Sequence, residues 1–335
     1  MLILPWKMMF FFILLSGSFI AMSASSWFMA WMGLEINMLA LLAILMASKS
    51  TRNSEASLKY FLVQALASAI LISSAFSSSA IFSFLSSLSF FSNFIILSLL
   101  VKLGGAPFHG WLPQVVEGFT WNNNSIILTW QKIAPFILIV PCLEMKFSSF
   151  ILNCSIILSV LLGAILGLNQ MSIRKILTFS SINHIGWMLT SIAFDTLVWL
   201  MYFLIYSIML LSLINFIKNY NISLVSSTSF NTKLKAQLVF FMSLLSFGGL
   251  PPFLGFAAKW VVISSLINQN FTLLLILVMS SLLTLYFYTR MAFSSFLLKQ
   301  PSNTKFNLMN SKNSLPLMVN VLGMIITPII FLVAL

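Results

Sequence analysis

Four ionisable side chains, Glu35, Lys102, Lys132 and Lys259, stand inside sequence that is otherwise apolar. A charge at the centre of a bilayer costs about 2.5–3.5 kcal/mol on insertion scales, so ionisable groups held there point to ion or proton traffic. The chemistry open to them is proton storage and release. Burial disfavours an ammonium and a nearby carboxylate favours it. A glutamate moving toward or away from a lysine therefore switches that lysine between keeping and yielding its proton. Glu35 with Lys102 would make such a switch, and Lys132 and Lys259 could be onward sites. His184, in SSINHIGWM beside Ser180, Ser181 and Asn183, is a further relay candidate, because imidazole titrates near neutral pH. The competing reading is structural: the charges pair to hold helices together, or the lysines snorkel to an interface. Lys102 and Lys132 lie too deep in their apolar runs for an easy escape.

Two stretches must position these groups. LVKLGGAPFHGWLP (Leu100–Pro113) carries Lys102, and SFGGLPPFLGFAAKW (Ser246–Trp260) carries Lys259. An offset of 145 residues superposes Gly104 on Gly249, Pro107 on Pro252, Phe108 on Phe253 and Gly110 on Gly255. Gly104, Gly105 and Pro107 in the first copy, and Gly248, Gly249, Pro251 and Pro252 in the second, are expected to interrupt a helix. Paired Gly/Pro-interrupted hydrophobic segments in two halves of a membrane protein mark a transport path. Such breaks free backbone carbonyls and are tolerated in a membrane where they line a watery cavity. His109, just after the first break, is expected mainly to hold its carbonyls.

The chain has 335 residues, of which 60% are hydrophobic and 7% charged, with mean hydropathy +1.06. A soluble domain carries about 25% charged residues, so a soluble fold is excluded. Apolar runs of about 20 residues suit membrane-crossing helices, and the alternation of a β-barrel is absent. The expected fold is an all-α polytopic membrane protein of about eleven spans. They lie at roughly 3–22, 27–47, 58–79, 91–113, 122–143, 149–169, 175–194, 196–217, 237–265, 271–292 and 315–335. The third and fourth meet within Ser73–Ser92, a Ser/Phe-rich stretch of poor periodicity. Longer polar loops are expected at Ser48–Ser57, Asn219–Lys235 and Lys299–Ser314. The N-terminal run reads as a retained first helix rather than a signal peptide, and no organelle-import presequence is visible.

The formal net charge is +12, which here reads as a topology signal rather than as nucleic-acid binding. Eleven spans put Lys7, Lys49, Arg52, Lys59, Arg174, Lys175, Lys218, Lys233, Lys235, Lys299, Lys305 and Lys312 on the N-terminal side, with Arg290 near it. The other side receives Lys146. By the positive-inside rule the N-terminus faces the cytoplasm or matrix. Glu55 and Lys59 read as a surface pair in the loop before the third span, Asp195 as an N-cap, and Glu117 and Glu144 as interfacial. Gly163 and Gly167 form a GxxxG packing face. Cys142 and Cys154 lack metal-ligand spacing and read as buried, inert thiols. No P-loop, dinucleotide fingerprint or haem-ligand pair is present, so the energy source is expected in a partner.

Several strings carry a family likeness: WMGLEINMLALL (Trp31–Leu42), EASLKYFLVQALAS (Glu55–Ser68), LVKLGGAPFHGWLPQVVEG (Leu100–Gly118), TWQKIAP (Thr129–Pro135), GLNQMSIRKILTFSSINHIGWM (Gly167–Met188) and GGLPPFLGFAAKW (Gly248–Trp260). In order and in detail they resemble the mitochondrial NADH–ubiquinone oxidoreductase chain 2 family, of the arthropod type, over about residues 20–295. The resemblance implies an antiporter-like membrane-arm subunit of respiratory complex I. It implies two inverted five-helix repeats, each with one discontinuous helix: 1–145 (spans 1–5) and 146–295 (spans 6–10), followed by a loop and C-terminal helix at 296–335. Eleven spans would fit an animal form lacking three N-terminal helices of its bacterial relatives. Glu35 and Lys102 would be the paired switch, Lys132 the central lysine, His184 part of the central hydrophilic axis, and Lys259 the terminal lysine. No cofactor is expected in this chain; NADH, FMN, iron–sulfur clusters and ubiquinone would belong to partner subunits. The implied partners are other complex I membrane-arm subunits and the lipid bilayer, with cardiolipin as a candidate lipid and no nucleic acid. The implied location is the mitochondrial inner membrane, multi-pass, with the N-terminus on the matrix side; synthesis inside the organelle would account for the missing import sequence.

Three functions compete at this point: a proton-conducting subunit of a redox-driven pump, a structural scaffold of the membrane arm, and a free-standing cation/proton antiporter. Loss of pumping in an assembled charge-removed variant separates the first from the second. Activity in liposomes without partners would mark the third.

Overall fold

Long apolar runs have one economical way to satisfy their backbone polar groups away from water, which is to pair them within a helix. The computed structural model follows that rule. It describes residues 5–47, 50–80, 85–143, 148–220, 222–224, 234–267, 270–297 and 314–334. In the described residues the only extended pairing is an isolated bridge between Ser172 and Leu224.

The helices are α1 (Pro5–Met22), α2 (Trp27–Met46), α3 (Thr51–Ala80), α4 (Leu85–Leu103), α5 (Trp111–Gly118), α6 (Trp121–Leu128), α7 (Trp130–Ile139), α8 (Ser148–Leu168), α9 (Ile173–Phe194), α10 (Thr196–Tyr220), α11 (Leu234–Gly248), α12 (Leu254–Leu266), α13 (Phe271–Leu297) and α14 (Ser314–Ala334). Among the described residues, seven helical stretches are long and apolar enough to cross a membrane, and three shorter apolar helices accompany them. Large apolar side chains such as Phe12, Leu66, Phe150 and Tyr286 are exposed, as expected where hydrocarbon rather than water is the solvent.

Two compact units divide the chain at Ser159/Val160, within α8. In the first, α1 packs on α2, α2 on α3, α3 on α4 and α5, and α7 against α1 and α4. The α1–α2 approach is close enough to require glycine. A Cβ on Gly17 would meet the Asn37 amide nitrogen at 2.8 Å, and one on Gly33 the Gly17 carbonyl at 2.8 Å. In the second unit α10 packs against α9, α11, α12 and α14, and α11 lies against α13. Gly163 meets the backbone of α9 at Phe179 and Asn183, which identifies the partner of the GxxxG face. Arg290 donates from Nη2 to the Leu168 carbonyl at 2.6 Å, satisfying an end carbonyl of α8.

α9 is unusual in being buried on every side: each residue from Ile176 to Ile192 is buried although seven are Ser, Thr, Asn or His. The hydroxyls of Thr178, Ser180, Ser181, Thr190 and Ser191 donate to carbonyls three residues back in the same helix. Each of these hydroxyls thus has an acceptor within its own turn, which makes its burial affordable.

Three sequence expectations are revised. α3 begins at Thr51, so Glu55 and Lys59 sit on its first turns rather than in a loop, paired at 2.7 Å. Cys142 is buried, but Cys154 lies exposed on α8, because it falls on an outward-facing position of that helix. The fifth apolar run is two helices, α6 and α7, separated at Thr129. Asp195 does cap α10, accepting from the Leu197 amide at 3.0 Å. Lys49, Glu144, Lys146, Lys233, Lys299, Lys305 and Lys312 lie outside the described residues, as do most of the two later polar loops.

Candidate functional site

The two breaks are built alike. α4 stops at Leu103 and α11 at Gly248, again 145 residues apart, each followed by a glycine with positive φ: Gly104 at 73° and Gly249 at 83°. Glycine reaches that region without a Cβ penalty. The Gly104 amide donates to the Val101 carbonyl at 3.1 Å and the Gly105 amide to Leu100 at 3.0 Å. Gly249 to Ser246 and Leu250 to Leu245 repeat the pattern at 3.2 Å each. This pair of bonds is the Schellman stop, which closes off the last carbonyls of a helix. Cis peptides precede Pro107 and Pro252. The 15 residues of α11 and 13 of α12 span about 22 and 20 Å, so neither half crosses about 30 Å of hydrocarbon alone.

In the first unit, Lys102 occupies the last turn of α4 and is 8% exposed. Its backbone carbonyl accepts from Gln64 Nε2 at 3.4 Å, and the Val101 carbonyl accepts from Trp111 Nε1 at 3.1 Å. His109 places Nδ1 3.2 Å from the Pro107 carbonyl, the carbonyl-holding role expected of it. Glu35 is half-buried on α2. Lys132 on α7 is 2% exposed. Lys102 and Lys132 line one cavity together with Asn37, Tyr60, Gln64 and Gln131. About 20 Å³ of it is open to water centres, room for a single water.

Asn37 and Gln131 tie the walls of that cavity together: Gln131 Nε2 donates to Asn37 Oδ1 at 2.9 Å, bridging α2 to α7. Asn37 is two residues from Glu35 and Gln131 adjoins Lys132, so the bridge fixes the spacing of the helices bearing the carboxylate and the ammonium. Gln131→Leu leaves a buried amide oxygen unpaired, at a cost of about 1–3 kcal/mol. The expected result is a protein less resistant to mild heating than wild type, measured by thermal unfolding in detergent.

In the second unit, Lys259 on α12 is 6% exposed and reaches back across the break. Its Nζ donates to the Gly248 carbonyl at 2.8 Å, at the C-terminal end of α11, and lies 5.7 Å from the Trp187 ring. His184 on α9 pairs through Nδ1 with the Tyr202 hydroxyl at 2.8 Å. Its ring meets the Phe247 ring at 4.8 Å between centroids, and Phe247 adjoins Gly248. The hydroxyls of Ser180 and Ser181 donate to the Leu177 and Thr178 carbonyls of their own helix.

A family profile described as NADH:quinone oxidoreductase/Mrp antiporter, transmembrane, matches residues 24–284 and so takes in both breaks as well as Glu35, Lys102, Lys132, His184 and Lys259. The NADH-ubiquinone oxidoreductase chain 2 of Anopheles gambiae is 41% identical, and that of Aedes aegypti 43%, each over 97% of both chains. The same-named chain of Elephas maximus is 38% identical over 95% of both. The chain belongs to the NADH–ubiquinone oxidoreductase chain 2 family. Among solved structures, a chain of respiratory complex I from Thermus thermophilus is similar in fold, with TM-score 0.83, 23% identity, and coverage of 98% of this chain and 79% of that one. A chain of the Mrp complex from Dietzia sp. gives TM-score 0.81 at 17% identity, covering 97% and 75%.

In this chain 2 family member, the two break lysines meet the half-helix before the break by different routes. Lys102 sits within the last turn of its half-helix, whereas Lys259 arrives from the following half-helix and bonds the end carbonyl directly. The C-terminus of a helix carries about half a negative charge, which favours a cation there. Tyr60, Gln64, Gln131, Trp187 and Tyr202 were not singled out from sequence. Their only signal was a polar or aromatic residue at helical spacing from a buried charge, or, for Tyr202 and Tyr206, within the otherwise apolar α10.

Proposed function

We propose that the chain is a core membrane-arm subunit of proton-pumping NADH:ubiquinone oxidoreductase, moving protons through buried side chains while electrons pass in other subunits. The observation carrying this reading is the shared cavity of Lys102 and Lys132, two buried lysines with room for a water beside them. Two ammonium groups lining one cavity repel each other. A proton on one therefore disfavours a proton on the other, which is the coupling a relay needs.

Glu35 biases Lys102, Lys132 is the onward site, and His184 and Lys259 continue the route in the second half. The eleven-span arrangement with two inverted five-helix repeats (1–145 and 146–295) and a C-terminal helix at 296–335 belongs to this proposal. So do the mitochondrial inner membrane, the matrix-facing N-terminus and the neighbouring membrane-arm subunits, with cardiolipin among the contacting lipids. NADH, FMN, iron–sulfur clusters and ubiquinone are assigned to those partners, leaving this chain without a redox or nucleotide site.

Glu35→Gln keeps the side-chain shape and removes the charge that acts on Lys102. The expected result is a drop of about tenfold in the proton-pumping rate of the assembled enzyme, at the low end of acid–base contributions. Proton uptake and NADH oxidation measured in the same proteoliposomes check it. Unchanged pumping by a fully assembled variant would count against the relay.

A further inference from the structure

We infer that Tyr202 is a positioning residue for His184, setting which ring nitrogen holds the proton. The inference rests on reading His184 as a relay. The Tyr202 hydroxyl lies 2.8 Å from His184 Nδ1, and both groups are buried, at 2% and 6% exposure. At that distance and burial the hydroxyl and the ring nitrogen form a hydrogen bond.

A neutral imidazole carries one N–H. When the Tyr202 hydroxyl donates to Nδ1, the hydrogen of the neutral ring is held on Nε2. When His184 gains a proton both nitrogens are donors, and the same hydroxyl turns about its C–O bond to accept from Nδ1–H. A hydroxyl serves both states because it is donor and acceptor at once; a carboxylate or a carbonyl could only accept. Tyr202 itself keeps its proton count through the exchange. The Nδ1 side of the histidine thus keeps a partner in either state.

The surroundings hold this geometry. Tyr202 and Tyr206 are one helical turn apart on α10, and the Tyr206 ring packs 5.1 Å from the imidazole. Phe247 closes another side edge-on, at 4.8 Å and 69°. These rings fix the imidazole plane, and Tyr202 gives the plane its polarity. Because Phe247 precedes Gly248, whose carbonyl holds Lys259, a change in the His184 ring bears on the turn that seats the lysine.

The test is a double-mutant cycle in the assembled enzyme, reading the proton-pumping rate in proteoliposomes with NADH oxidation followed alongside. Y202F removes one oxygen and keeps the ring; it is expected to lower the pumping rate about two- to tenfold, the equivalent of one hydrogen bond. H184Q lowers pumping as well. The double variant is expected to be no worse than H184Q alone, because Tyr202 acts through His184. Y206F, which keeps the ring packed on the imidazole and leaves the Nδ1 bond in place, is expected to retain more pumping than Y202F. Wild-type pumping in Y202F beside a defective H184Q overturns the inference, as do additive losses in the double variant or an equal defect in Y206F. Wild-type pumping in H184Q instead removes the relay reading itself. Should Y202F fail to assemble, 3,5-difluorotyrosine at position 202 keeps the shape and makes the hydroxyl more acidic; the pH profile of pumping must then shift, and an unchanged profile overturns the inference.

Discussion

Lys259→Met in the assembled enzyme is expected to lower proton pumping and the coupled quinone reduction by about tenfold or more, within the range for loss of a positioned acid–base group. Methionine matches the length and flexibility of the lysine without its charge. Two consequences follow from the geometry. The Gly248 carbonyl, now bonded by Nζ at 2.8 Å, loses its donor at the negative end of α11. The ring of Trp187 loses the cation beside it at 5.7 Å. Neither loss removes a large packing group, so assembly is expected to survive and the defect to appear in turnover. Native gels separate assembly from activity, and paired pumping and NADH-oxidation rates measure the defect. An assembled Lys259→Met enzyme with wild-type coupling would show that this lysine only ties α12 to α11.

Gly255→Ala is expected to abolish assembly. A Cβ at Gly255 would run into the Ser246 carbonyl oxygen, and the Gly249 Cα also lies close, at 3.3 Å. Both are backbone of the turn that ends α11, so no side chain can swing aside. The Ser246 carbonyl accepts from the Gly249 amide within the Schellman stop, and displacing it would disrupt the presentation of the Gly248 carbonyl to Lys259. Forcing apart well-packed backbone costs at least about 3 kcal/mol, the upper end for overpacking. Gly110→Ala is the control: a Cβ added there has nothing within 4 Å, so assembly is expected to match wild type. The amount of subunit retained in the complex after equal expression measures both.

That contrast shows how far the sequence could be read. Gly110 and Gly255 align under the 145-residue offset and look interchangeable as letters. Their positions in the turn are related, but α12 starts at Leu254 and crowds the end of α11, while α5 starts at Trp111 after a longer connection. The spacing of Gly and Pro was enough to locate both breaks, because a positive φ has so few residues that tolerate it. It could not say where the lysines would end. Lys102 precedes its glycines and lies in the last turn of its half-helix, whereas Lys259 follows its own and folds back across the break to bond the end of the half-helix before it.

The buried charges themselves were legible because charge in apolar sequence is rare and costly. The hydrogen bonds that surround them were not. Gln131 and Asn37 are 94 residues apart, and Tyr202 is 18 residues beyond His184 on another helix. Pairings of that kind depend on which helix faces meet, and composition does not encode it. Beside His184, the serines Ser180 and Ser181 each donate to a carbonyl one turn back, as buried helical hydroxyls do. Cys154 illustrates the same limit, since membership of an apolar run does not distinguish a face packed on protein from one left exposed.

The most direct test replaces the whole charge set by neutral side chains of similar size: Glu35→Gln, Lys102→Met, Lys132→Met and Lys259→Met together. Protons translocated per NADH oxidised by the assembled enzyme are then compared with wild type. Relay through these side chains predicts a clear fall in that ratio or in the coupled rate; wild-type stoichiometry at wild-type turnover would contradict it and leave the charges as structural ties.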